Sequence, residues 1–196
     1  FFSTPPPPPP ILSGLVGSEM CIRDSRGLVP RDTIITMDSG AHRILISQAW
    51  PTYVPRSALQ SSAFCTMGCA LPLATGAKLA DPSRVVVAFM GDGGLEMVLG
   101  ELITLRDLAL PVIVIVFVDA SLALIEKKQR EMQYKNAGVD MNETDFKSIA
   151  LATGGNGFVV QTRAQLTDAL NTALNTSEKF TLISCKIPRG SYDEII

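Results

Sequence analysis

Three short apolar runs rich in β-branched residues, Arg84–Met90, Pro111–Val118 and Phe180–Ile187, constrain this chain more than any other feature. Each has the length of a strand, and each is apolar on consecutive positions, not on alternate ones. Such a run suits a strand buried on both faces, and a sheet of such strands needs helices on both sides. Thr33–Met37 and Gly157–Val160 extend the pattern, which reads as five strands. Between them the 3.6-residue periodicity predicts helices over about Met67–Leu79, Leu95–Leu108, Leu122–Tyr134, Asp145–Thr153 and Arg163–Leu174, with Met37 to Ser61 left as a loop. Leu95, Val98, Leu99, Leu102, Leu105 and Leu108 share one helical face, Thr162 with Gln165 makes a capping box, and Gly154-Gly155 is a stop signal. Alternating strands and helices predict an α/β fold: a doubly wound, mainly parallel sheet of about five to six strands with helices on both faces.

Composition narrows the partners. With 17 Lys+Arg against 19 Asp+Glu, the chain lacks the basic excess that a phosphate backbone requires, and no apolar run reaches the length of a membrane span. Nucleic acid and membrane are therefore not expected. The four cysteines, Cys21, Cys65, Cys69 and Cys185, are too few and scattered for a disulfide scaffold, and Cys65 and Cys69 lack a second pair for zinc. Reduced thiols and a cytoplasmic location are the expectation. Residues 1–25 stand apart: six consecutive prolines, Pro5 to Pro10, precede Glu19-Met-Cys-Ile-Arg-Asp-Ser25, which resembles a translated sequencing adaptor. The segment reads as adaptor-derived or disordered, with the native domain spanning 26–196 and further sequence expected upstream.

In a doubly wound sheet, ligands sit outside the carboxyl ends of the strands, so the residues after each apolar run matter most. Gly91-Asp92-Gly93-Gly94 follows the first long run. Its glycines permit close backbone approach and its helix-start amides suit an anion; a carboxylate there makes sense with a cation between. Without that ligand it is a plain strand-to-helix turn. Asp119 closes the next run 27 residues after Asp92, one helix and one strand later, so both carboxylates fall at equivalent strand ends and can share one Mg²⁺. Taken alone, Asp119 reads equally as a helix N-cap. Met37-Asp38-Ser39-Gly40-Ala41-His42 holds the only histidine, and after a strand it reads as an exposed polar loop suited to an anionic group.

Gly91-Asp92-Gly93 with Asp119 resembles the thiamine diphosphate motif, G-D-G followed by N-N or N-D. Cys65-Thr-Met-Gly-Cys-Ala-Leu-Pro72 resembles the G-T-M-G-x-x-L-P segment of acetolactate synthases, and Asp38-Ser-Gly-Ala-His42 their D-x-G-Q-H. The chain, from about Leu28 to Ile187, is thus similar to the carboxyl-terminal diphosphate-binding domain of the acetolactate synthase group. The resemblance implies thiamine diphosphate and Mg²⁺ as cofactors, with Asp92, Asp119 and the carbonyl of Ser121 on the metal. It places His42, Gly91, Gly93, Gly94 and Ser121 to Leu124 around the cofactor, with Leu122 and Ala123 in the turn, and Met67 as the prop under its bent rings; by residue pattern alone Met67 is helix core. Cys65, Ala41 and Ala123 depart from the family's usual Gly, Gln and Gly. Ile125 and Lys128 fall on the substrate side, Lys128 where biosynthetic members carry Trp; without a substrate, Lys128 is a solvent-facing charge.

No catalytic residue is expected within this chain. The resemblance implies that an activating glutamate comes from a pyrimidine-binding domain of the same or a partner subunit, in a homodimer or homotetramer acting on a small 2-oxo acid as a decarboxylase or carboligase. FAD is compatible with the group, but no residue indicates it. Two other readings stay open. A haloacid-dehalogenase-type phosphohydrolase would use Asp38 as nucleophile, although Gly40 stands where its second aspartate belongs; a non-catalytic thiamine diphosphate-binding domain would keep the cofactor residues alone.

Overall fold

The computed structural model describes residues 17–193 and residue 196. Six strands, β1 (Ile34–Met37), β2 (Ala58–Gln60), β3 (Val86–Gly91), β4 (Val112–Val118), β5 (Asn156–Val160) and β6 (Thr181–Lys186), form one sheet in the order β2-β1-β3-β4-β6-β5. Every neighbouring pair is parallel. Successive strand side chains alternate between two cores. Ile35, Val87, Phe89, Ile113, Ile115, Phe117 and Ile183 pack on one side against residues of α1 (Ser18–Leu28), α2 (Ala41–Ala49) and α8 (Arg163–Leu174). Ile34, Val86, Ala88, Val112, Val114, Val116 and Leu182 pack on the other against residues of α3 (Ala70–Ala80), α5 (Glu101–Asp107) and α7 (Phe146–Ala152). Burial of both faces explains why β4 is apolar at every position, and the doubly wound α/β reading holds.

Several boundaries move. Gly40 opens α2, so the stretch after β1 is helical where a loop was expected. β2 is a three-residue edge strand, paired with β1 from Ile35↔Ala58 to Met37↔Gln60. The single helix expected over Leu95–Leu108 is two, α4 (Asp92–Glu96) and α5, separated by a turn over 97–100. Leu95, Leu102 and Leu105 still pack on the sheet with Val98 and Leu99 beside them, whereas Leu108, expected on the same face, caps α5 and is exposed. α6 (Ala123–Glu131) begins after the metal-motif turn. At α8 the Thr162 side chain accepts from Gln165 N–H, while Gln165 Oε1 accepts from Gln161 N–H, one residue earlier than a strict capping box requires. Gly154, at φ +88°, ends α7 as its sequence signalled.

The break expected at residue 25 is not where the structure divides. α1 runs through it: Cys21 and Ile22 are fully buried in the core shared with α2 and α8, and Asp24 pairs with Arg163 of α8 at 2.6 Å. Residues 1–16, which include the proline run, lie outside the described residues.

Candidate functional site

The register of the sheet brings three loops to one edge. Met37 is paired with Phe89, and Gly91 with Phe117, so Asp38, Asp92 and Asp119 each follow a strand end at the same side of the sheet. There a cleft of about 220 Å³ is lined by Ser39 to His42, Cys65, Met67, Gly91 to Gly94, Phe117, Asp119, Ser121 to Ile125 and Tyr192. Every residue that the resemblance placed on the cofactor, the metal or the substrate lies on it except Lys128. That side chain is exposed and bound to Glu131 at 2.6 Å, one turn further along α6 than the cleft lining reaches. Ile125, one turn earlier, lines the cleft and is 46% exposed.

The two carboxylates are held from behind by backbone. Asp92, buried, accepts from Gly93 N–H at 2.8 Å through Oδ1 and from Ala120 N–H at 2.9 Å through Oδ2, which ties the β3 turn to the β4 turn. Asp119 Oδ1 accepts from Ser121 N–H at 3.2 Å; its Oδ2 is enclosed and has no partner. Burial, and secondarily the charge of Asp92, push the Asp119 carboxyl up to about 7, and burial raises Asp92 as well. Two desolvated carboxylates at adjacent strand ends, one with an unpartnered oxygen, are a costly arrangement for a protein alone and a suitable one around a divalent cation. Among the described residues no group of three or more His, Cys, Asp or Glu gathers as a metal cluster. A cation here would take two carboxylates and a carbonyl from the chain and complete its shell from an anionic ligand and water. That donor set is all oxygen, as Mg²⁺ prefers. The residues present therefore fit the metal.

Asp92 starts α4, so the amides of Gly93 and Gly94 lie in its first turn. Gly94 cannot be larger: a Cβ there would come within 2.0 Å of Asp38 Oδ2. Asp38 itself does not face the cleft. It is fully buried, and its oxygens accept from Gly68 N–H and Cys69 N–H, both at 2.9 Å. This carboxylate thus fastens the segment carrying Met67 against β1, a structural task that leaves no free oxygen poised as a nucleophile. Met67 sits on the turn before α3, half-buried and facing the cleft, not within the helix where periodicity placed it.

His42 is buried in the first turn of α2, not in an exposed loop. Its ring stacks on Phe117 with centroids 5.8 Å apart, and Nε2 has no partner. Burial, with Arg43 adding to it, lowers its pKa to about 4, so it is neutral and can donate or accept one hydrogen bond at the cleft wall. Gly40, at φ +150°, makes room for that ring: a Cβ there would lie 2.7 Å from His42 Cε1.

Two lining residues escaped the sequence reading. Phe117 counted as strand core, although its place two residues before Asp119 on the His42 side of the sheet could have found it. Tyr192 comes from the tail beyond β6, is buried, and has no periodic signal at all.

The fold and site define a cofactor-binding α/β domain of the strand-end type. The family of thiamine pyrophosphate enzymes, C-terminal TPP binding domain, matches residues 38–185, and the chain belongs to that family. It is 29% identical over 180 residues to an acetolactate synthase of Bacillus subtilis (strain 168), covering 86% of this chain and 32% of the relative. It is 32% identical over 154 residues to a catabolic acetolactate synthase of Raoultella terrigena, covering 79% and 28%. The solved thiamine diphosphate-dependent 4-hydroxybenzoylformate decarboxylase of Rhodococcus jostii RHA1 superposes with a TM-score of 0.82 at 24% identity, covering 95% of this chain and 36% of that one, which shows the shared fold. The chain thus spans about a third of the length of these relatives.

Proposed function

We propose that the cleft holds the diphosphate of thiamine diphosphate through one Mg²⁺, in an acetolactate synthase-like decarboxylase or carboligase of 2-oxo acids. The observation that carries this reading is the Asp92–Asp119 pair at adjacent strand ends, with the enclosed and unpartnered Oδ2 of Asp119. When bound, the cofactor supplies an electron sink for loss of CO₂ from the substrate. The chain's own residues bind and orient. Asp92, Asp119 and the Ser121 carbonyl take the cation that neutralises diphosphate charge; the amide of Gly94 and the neutral ring of His42 meet the remaining oxygens, and Gly93, its own amide held by Asp92, lets the backbone come close to them. Met67, Leu122, Ala123 and Leu124 shape the apolar wall against which the rings rest, and Ile125 reaches the open, substrate side.

No glutamate lines the cleft among the described residues. On this proposal the activating glutamate belongs to a pyrimidine-binding domain, on the same or a partner subunit, closing over the exposed side of the site in a homodimer or homotetramer. The buried, amide-bound Asp38 weighs against phosphohydrolase chemistry in the same cleft.

Calorimetric titration of Mg²⁺ and thiamine diphosphate tests the assignment. Asp92→Ala removes one cation ligand and frees the diphosphate's charge, and binding should become undetectable while far-ultraviolet circular dichroism is retained. Undiminished affinity would overturn the reading.

A further inference from the structure

Glu126 lies one turn into α6, outside the cleft, yet it is a charged residue with only 7% of its surface exposed. Its carboxylate is saturated. Oε1 accepts from Arg130 Nη1 at 2.7 Å and Asn136 Nδ2 at 3.0 Å; Oε2 accepts from Arg189 Nε at 3.0 Å and from the Ser121 hydroxyl at 2.5 Å. Four donors on two oxygens fill the hydrogen-bonding capacity of a carboxylate and remove its freedom to rotate. Two of those donors are guanidiniums, which pair with the group as an anion.

The arginines do not depend on it. Arg130 also binds Asp193 at 2.6 Å and Arg189 binds Asp140 at 2.6 Å, so both cations keep acidic partners without Glu126. The Ser121 hydroxyl, in contrast, has no other hydrogen-bond partner among the described residues. It also follows the strained point of the metal turn: Ala120 adopts φ +53°, a left-handed conformation that a residue with a Cβ resists. That turn is held by Ala120 N–H on Asp92, Ser121 N–H on Asp119, and main-chain bonds from Leu122 N–H to Val139 and from Met141 N–H to Ala120. The first two of these holds lead back to the metal-binding carboxylates themselves. The Glu126–Ser121 bond is a side-chain hold anchored outside the site.

We infer that Glu126 is a positioning residue, which fixes Ser121 so that its backbone carbonyl is aimed at the cation. This rests on the proposed Mg²⁺–diphosphate site and adds a residue to it. A hydrogen bond donated by the Ser121 hydroxyl to an anion fixed by three further donors holds the Ser121 backbone against rotation of the strained peptide, so the turn is set before the cation arrives.

The test uses the whole chain and reads the Mg²⁺ concentration for half-saturation at fixed thiamine diphosphate, by calorimetry, with the thermal midpoint measured in parallel. Ser121→Ala leaves the carbonyl in place and removes only the hydroxyl; it should raise the half-saturating Mg²⁺ roughly 10-fold, the scale seen when the partner behind a metal ligand is lost. Glu126→Ala should raise it as much, and the double variant no further, whatever the shifts in thermal midpoint. Unchanged half-saturation in Ser121→Ala, or losses that multiply in the double variant, would overturn the inference. Should Glu126→Ala not fold, Ser121→Ala alone decides. If Asp92→Ala also leaves binding intact, the failure lies with the cation site itself.

Discussion

At the scale of single residues, the site is a set of side chains whose local stability has been given up. Asp119 shows the cost most directly. Its carboxyl titrates near 7 because of burial first and Asp92 second, against an ordinary value of 3.8. The folded state therefore holds this proton more tightly than the unfolded one between those values. Whatever the group contributes at low pH is lost as pH rises through about 7, and above that the metal-free protein carries a desolvated, repelled anion. Asp119→Asn keeps the shape and the acceptor for Ser121 N–H while removing the charge. In metal-free protein it should raise the thermal midpoint by several degrees at pH 8 and by far less at pH 5, measured by scanning calorimetry. An equal effect at both pH values would show that charge is not the cause. His42 carries a related cost in its unpartnered Nε2, and Gly94 is confined by Asp38. These residues are legible in the sequence because each stands within five residues of the end of an apolar run, where parallel sheets expose their binding edge. Lys128 lies off the cleft for a simple reason: correspondence along a motif gives a position on α6, not how far along that helix the cleft extends.

Elements were legible in proportion to how completely their pattern is repeated. β4, with seven consecutive buried residues, and α8, with its cap, stand where their sequences put them. β2 is three residues at an edge with one half-buried side chain, too few for any period to show. α2 follows Gly40 directly, and its polar residues His42, Arg43, Ser47 and Gln48 obscure the stripe of Ala41, Leu45, Ile46 and Ala49 that it buries. Compositional oddity upstream drew the boundary at residue 25, but α1 carries Cys21 and Ile22 into the same core as Leu166, Ala169 and Leu170 of α8. A chain beginning at residue 26 would uncover those α8 side chains, whereas one beginning at residue 17 would not. We expect the shorter chain to lose several kcal/mol of stability in urea denaturation, and Ile22→Ala in the longer one to lose about 2–5 kcal/mol, the range for deleting a fully buried large aliphatic side chain. Matching midpoints for the two chains would show that α1 adds nothing to the fold.

Across the whole molecule, the sheet's order separates neighbours in space from neighbours in sequence. The cleft needs loops after β1, β3 and β4 together with Tyr192 from the far end of the chain, so no contiguous segment contains the site. That is why the tail residue was invisible to motif reading while the strand-end residues were not. The Glu126 network makes the same point energetically: it binds the turn at Ser121, α6, the 136–140 segment and the tail into one charged knot. A different consequence follows from β4 lying between β3 and β6. On a ribosome, Val112–Val118 is made long before Thr181–Lys186, the strand that will pair with it along one whole side. During that interval one edge of an uncharged, β-branched heptapeptide is unpaired, the composition most prone to intermolecular stacking. Released chains ending at residue 178, which lack β6, should therefore accumulate as sedimentable, thioflavin-positive aggregate in cell-free synthesis. Val114→Lys, which places a charge on that strand, should keep the truncated chain dispersed even though it ruins the folded protein. Soluble truncated chains without that substitution would show that nascent β4 is shielded by other means. Birth, more than residence in the folded state, is when this strand is dangerous.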